Sequence, residues 1–177
     1  LVVTTGFDRP NLFFSVMQPK NKSIELMKLI KERKNESGIV YCSTRKAVEE
    51  VCELLQKNGF AATRYHAGLD ENERRRNQDD FVYDRKTVMV ATNAFGMGID
   101  KSNVSYVIHY NMPKNLESYY QEAGRAGRDG QEADCILLYG ASDVQTCRYF
   151  IESSEPTPQL TPEQNEAFKQ REEERLK

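Results

Sequence analysis

Arg125 and Arg128 stand three residues apart in the stretch Ser118-Tyr119-Tyr120-Gln121-Glu122-Ala123-Gly124-Arg125-Ala126-Gly127-Arg128-Asp129-Gly130. A guanidinium stays charged at any working pH, and its planar fork holds phosphate oxygens two at a time. Glycines at 124 and 127, one immediately before each arginine, remove side chains beside them, so a bulky anion can approach the backbone. If the segment is helical up to Gly127, then Gln121, Arg125 and Arg128 fall at i, i+4 and i+7 and share one face. Tyr119, Tyr120 and Ala123 then lie elsewhere around the helix and can pack inward. The same residues also read as an exposed basic helix end whose arginines satisfy the last carbonyls.

Three other loops carry groups suited to phosphate oxygens: Ser43-Thr44-Arg45-Lys46, His66-Ala67-Gly68-Leu69 and Thr92 to Asp100. Hydroxyls, a helix N-terminus and glycine-exposed amides all donate to such oxygens. Each loop follows an expected strand, and in open parallel sheets ligands gather beyond the carboxyl ends of the strands. Phe95 either stacks on a base or anchors its loop. His66, with no carboxylate partner evident, reads as a hydrogen-bonded structural residue rather than a general base.

An absence narrows the chemistry. The chain holds no G-x-x-x-x-G-K-[ST], and its only Asp-Glu pair, Asp70-Glu71, opens a helix instead of closing a strand. Anion-facing arginines without a phosphate cradle or a magnesium carboxylate amount to half of a nucleotide site. An arginine finger is a part readily supplied by another domain, and one is worth about 10³ to 10⁵ in turnover.

The elements that must position these groups alternate. Strands are expected at Leu12–Val16, Gly38–Cys42, Ala61–Tyr65, Thr87–Ala91, Val104–Tyr110 and Cys135–Tyr139. Helices are expected from Ser23 to Arg33 (with Ile24, Met27 and Ile30 buried), after Thr44 to Lys57, from Asp70 to Phe81, around Ser118, and from Ser142 to Ile151. Asp70 and Glu73 resemble a capping box. This alternation predicts βαβ units, hence an α/β fold with a parallel sheet sandwiched by helices. Beyond Ser153, prolines at 156, 158 and 162 mark a linker before a polar helix.

The 177 residues are enough for one domain with an appendage. A net charge of −2 provides no overall basic field, so any nucleic-acid contact must be local. Apolar runs are too short for a bilayer, and no signal-peptide pattern opens the chain. Cysteines 42, 52, 135 and 147 form no C-x-x-C pair, and His66 and His109 complete no metal-ligand spacing. Reduced, mostly buried thiols and no bound metal are expected. The start at Leu1-Val2-Val3, without Met, reads as a piece of something longer.

Gly38 to Arg45, Tyr65 to Leu69, Ala91 to Lys101 and Ser118 to Gly130 resemble motifs of the second RecA-like lobe of RecQ DNA helicases. The resemblance covers about residues 7 to 150, including Phe7-Asp8-Arg9-Pro10-Asn11. Related DEAD-box RNA helicases usually have a histidine where Gln121 stands. The resemblance implies a RecA-like lobe over residues 12–152, a lead-in from a first lobe over 1–11, and a linker with a polar helix over 153–177. The whole would be a 3′-to-5′ ATP-dependent DNA-unwinding motor, intracellular, cytoplasmic in a bacterium or nuclear in a eukaryote. Arg128 would be the arginine finger and Arg125 its companion at the nucleotide. Gln121 and Asp100 would couple the nucleotide to the cleft, and Ser43, Thr44, Arg45, His66, Gly68, Thr92 and Asn93 would line the DNA backbone. ATP and Mg²⁺ would be held mainly by the first lobe, and zinc by a downstream module outside this chain. On this reading the arginines share a rim with the threonine-bearing loops, and the chain alone neither hydrolyses ATP nor unwinds DNA.

An RNA-helicase lobe shares these motifs' fold, and a non-enzymatic module docking protein or nucleic acid is the alternative from a different class. A small-molecule α/β domain lacks its glycine fingerprint after the first strand.

Overall fold

The computed structural model describes residues 9–95, 101–140, 143–145 and 148. Six strands, β1 (Leu12–Met17), β2 (Ser37–Tyr41), β3 (Ala62–Tyr65), β4 (Val88–Ala91), β5 (Val104–His109) and β6 (Ala133–Leu138), form one sheet in the order β1-β6-β5-β2-β4-β3. Every pairing is parallel. Four helices alternate with them: α1 (Lys22–Glu32), α2 (Arg45–Lys57), α3 (Glu71–Val82) and α4 (Leu116–Ala123).

Strand side chains alternate between faces, so a strand covered on both sides must be apolar throughout. β2 meets this demand. Val40 and Cys42 join Leu26, Leu29 and Ile30 of α1 and Val48, Val51, Cys52 and Leu55 of α2 in one cluster. Ile39 and Tyr41 join Phe81 of α3 and Ala123 of α4 in the other. Gly38 is required there, because a Cβ would run into the Tyr106 ring.

Asparagine, threonine and aspartate start the helices, each accepting a backbone N–H three residues on: Asn21 from Ile24, Thr44 from Ala47, Asp70 from Glu73, Asn115 from Ser118. The Asp70 cap is only half of a capping box, since the Glu73 carboxylate turns to Arg64 at 2.9 Å. Ile24 does not face inward as its spacing predicts; it is 61% exposed, and the buried stripe of α1 runs through Leu26, Leu29 and Ile30.

The chain divides into two compact units, residues 1–139 and 140–177. In the second, Asp143–Gln145 and Arg148 are helical, and Asp143 Oδ2 accepts the Gly140 N–H at 2.8 Å. The rest of the helix expected to Ile151, the linker and polar helix beyond it, Cys147 and Asp100 lie outside the described residues. Among the described residues no helix is long and apolar enough to cross a membrane. Cys42, Cys52 and Cys135 are buried thiols, and burial pushes them up to about 12, 11 and 12.

Candidate nucleotide and nucleic-acid site

Beyond the carboxyl ends of β5, β2, β4 and β3 the predicted loops stand side by side. Ser43 and Thr44 leave β2, both exposed. Thr44 Oγ1 accepts the Ala47 N–H at 3.1 Å, which leaves its hydroxyl hydrogen able to donate outward. Ser43 N–H donates to Asn111 Oδ1 at 3.2 Å, tying in the loop after β5. Arg45 lies against Gly68, where a Cβ would sit 3.2 Å from Arg45 Cδ. Thr92 is nearly buried with its N–H on Tyr65 O at 3.2 Å, and Asn93 is exposed.

His66 is buried within this rim and both ring nitrogens are engaged. Nδ1 accepts the Gly68 N–H at 3.1 Å, so Nε2 carries the hydrogen and donates to Glu49 Oε1 at 2.7 Å. Glu49 is the carboxylate partner that the sequence did not reveal, seventeen residues away on α2. The imidazole therefore shapes the turn that presents Gly68.

The arginine stretch departs from expectation. α4 ends at Ala123, not at Gly127, with Gly124 as its C-cap. Arg125 and Ala126 N–H groups donate to Glu122 O (3.2 Å) and Ala123 O (3.0 Å) in tighter turns. Gly127 then takes a φ of +58° and gives its N–H to Val104 O, at the start of β5, at 2.8 Å. Gln121, Arg125 and Arg128 consequently do not form one helical face. Gln121 is exposed and donates to Glu117 Oε1 at 3.4 Å. Tyr120, expected inside, is 45% exposed, whereas Tyr119 packs edge-on to His109 and Phe14.

The backbone of the arginine loop sits at the amino ends of the strands. That is the rim opposite the threonine-bearing loops, so the shared-rim expectation is corrected for the loop's backbone, from which the Arg125 side chain reaches back to Tyr41 at the end of β2. α4 runs antiparallel to the sheet it covers, which carries its C-terminus to that side. Arg125, half-buried, and Arg128, exposed, line a small hollow over the sheet with Ile39, Phe81, Phe95, Lys101 and Val104.

Tyr41 connects this hollow to the carboxyl side. Its buried hydroxyl donates to Phe95 O at 3.2 Å and bonds the Arg125 side chain. Burial pushes that hydroxyl above the usual tyrosine range, although the Arg125 charge pulls the other way. Phe95, fully buried, packs edge-on to Tyr65 and Phe81 with centroids 5.0 and 6.0 Å away. It anchors its loop. Behind α4, His109 Nε2 and Glu122 Oε2 form a buried pair at 2.8 Å.

Two residues read only as lead-in hold the arginine loop. Arg9 donates from Nη2 to Ala126 O (2.9 Å) and Gly127 O (2.8 Å), and Asn11 Nδ2 donates to Gly127 O (2.9 Å) and Gln131 O (2.8 Å). No local pattern shows these contacts, because they close over more than a hundred residues.

The helicase conserved C-terminal domain family matches residues 21–130, more than half of the chain. A Bacillus subtilis relative, "ATP-dependent DNA helicase RecQ", is 48% identical over 153 residues, covering 86% of this chain and 26% of its own. The chain belongs to the helicase C-terminal domain family, in its RecQ-type branch. A mouse relative, "ATP-dependent DNA helicase Q1", is 45% identical over 149 residues, covering 81% of this chain and 23% of its own. The RecQ-type lobe thus spans about a quarter of the length of these relatives. Its RecA-like fold matches a DEAD box protein from Methanococcus jannaschii with a TM-score of 0.66 and 28% identity, over 79% of this chain and 38% of that one.

Proposed function

We propose that this chain is the second motor lobe of a RecQ-like 3′-to-5′ DNA helicase, supplying an arginine finger to a nucleotide held by a first lobe. What carries the reading is the pair Arg125 and Arg128 on a glycine-bent loop in a chain that has no phosphate cradle of its own. Arg128, the exposed one, reaches the terminal phosphate as the finger. Arg125, half-buried against Tyr41, is its companion, and the resemblance to RecQ helicases assigns Gln121 and Asp100 to coupling the nucleotide to the cleft.

ATP with Mg²⁺, when bound by the first lobe, supplies the free energy of the cycle. Arg125 and Arg128 donate to its phosphate oxygens and draw the two lobes together, and loss of the terminal phosphate releases them. Ser43, Thr44, Arg45, Gly68, Thr92 and Asn93 grip the DNA backbone from the other rim, with His66 holding the Gly68 turn. Because both rims belong to one stiff sheet, a closure felt by the arginines displaces the DNA-facing loops as a body. By itself the chain hydrolyses no ATP.

Replacing Arg128 by Ala in the intact two-lobed enzyme preserves ATP binding and lowers turnover by about 10³ to 10⁵. Steady-state ATPase assays with single-stranded DNA present measure this, and unaltered turnover rejects the finger.

A further inference from the structure

We infer that Arg9 is a positioning residue for the arginine loop, and that the segment entering β1 thereby sets where Arg125 and Arg128 stand. The inference rests on the finger reading above. Carbonyls in the turns that follow a helix have no partner within it, and when covered they are held from outside. Here the Gly124, Arg125 and Ala126 N–H groups bond back onto α4 and the Gly130 N–H onto Gly127 O, while the Gly127 N–H goes to Val104 O, and the Gly124 and Ala126 carbonyls are left for a side chain. The guanidinium of Arg9 fills that need. It spans the carbonyls of Gly124 (3.4 Å), Ala126 (2.9 Å) and Gly127 (2.8 Å), and its Nε donates to Asn11 Oδ1 at 3.4 Å.

Asn11 adds two bonds to the same loop and, through its carbonyl, receives the Ala133 N–H at 2.9 Å. The fit leaves no room, for a Cβ on Gly127 would sit 2.5 Å from Asn11 Nδ2 and 2.8 Å from Gln131 O. A cation on the carbonyls at a helix C-terminus is also favoured by the helix dipole. With its donors turned to carbonyls, Arg9 is directed at the loop and away from any phosphate. A shift of residues 9–11 therefore moves the loop with it, and misplacing a catalytic group by about 1 Å costs up to about a hundredfold in rate.

The test is a double-mutant cycle in the intact two-lobed enzyme, reading kcat and KM for ATP with saturating single-stranded DNA. Arg9→Ala is expected to lower kcat between about tenfold and a hundredfold while KM and nucleotide-free DNA affinity stay within about twofold. In an Arg128→Ala background the same change is expected to cost several-fold less, because most of the effect of Arg9 runs through Arg128 and only the part carried by Arg125 remains. Should Arg9→Ala fail to fold, Asn11→Ala removes two bonds to the same loop and is read in the same cycle. Wild-type kcat in the foldable variant, or a loss that multiplies fully with that of Arg128→Ala, overturns this inference alone. Wild-type turnover in Arg128→Ala removes the finger reading, and this inference falls with it.

Discussion

At the carboxyl rim, much of the placing is short-range. Thr44 caps the helix it begins, His66 holds the amide two residues on, and Ser43, Arg45 and Asn93 stand exposed where the strands deliver them. At the amino rim, the arginine loop is held by Arg9 and Asn11, 115 to 120 residues earlier in the chain. The first arrangement draws partly on such local bonds and partly on Asn111 and Glu49, which hold Ser43 and His66 from other units of the sheet. The second exists only when the whole sheet has closed, because β1 must lie beside β6 before Arg9 can reach α4. A motor lobe built this way keeps its proposed grip on DNA separate from its proposed grip on nucleotide, with Tyr41 and Phe95 packed between them.

Removing the packing between the rims has the largest effect on the fold. Phe95→Ala empties a fully buried site and costs about 3 to 5 kcal/mol, read by denaturant unfolding of this chain; loss of only one rim's function in the intact enzyme contradicts the shared packing. Gly127→Ala forces a side chain into a left-handed conformation, worth about 1 to 2 kcal/mol, and onto Asn11. Turnover should fall while DNA affinity holds, which ATPase and anisotropy measurements separate.

Thr44→Ala is the converse. Loss of the cap costs about 1 kcal/mol, and DNA affinity weakens with ATP binding unchanged; equal weakening of both removes the contrast between rims.

The smallest effect concerns Asp84, which Lys101 and Ser37 bond at 2.7 Å each. The Lys101 hydrogen bond holds its carboxyl below the usual range. Its contribution to stability is therefore present above the ordinary aspartate value of about 3.9 and is lost as the pH falls through the lower folded value. Because Asp84 is half exposed, that contribution is modest. Asp84→Asn should flatten the acid limb of a stability-against-pH curve, and an unchanged limb assigns the slope to other carboxylates.

Much of the fold was legible because its signals are short-range. Strand runs such as Ile39-Val40-Tyr41 and the caps Thr44 and Asp70 act within a few residues. The carboxyl-rim loops were legible for the same reason, together with the rule that parallel strands present their following loops on one side. Where prediction failed, a distant partner had intervened. Gly127 leaves the helical path because Val104 O takes its N–H and Asn11 donates to its carbonyl, and Ile24 turns outward because α1 meets the sheet through Leu26 and Leu29 instead.

From the sequence by itself came the parallel α/β architecture, the chemistry of Arg125 and Arg128, the want of a phosphate cradle, and the kinship those motifs announce. Only the tertiary structure decided which rim the arginines occupy, that Glu49 completes His66, and that Arg9 and Asn11 hold the loop. Residue type and local spacing are written along the chain, whereas a hydrogen bond across a hundred residues depends on how strands order themselves in the sheet.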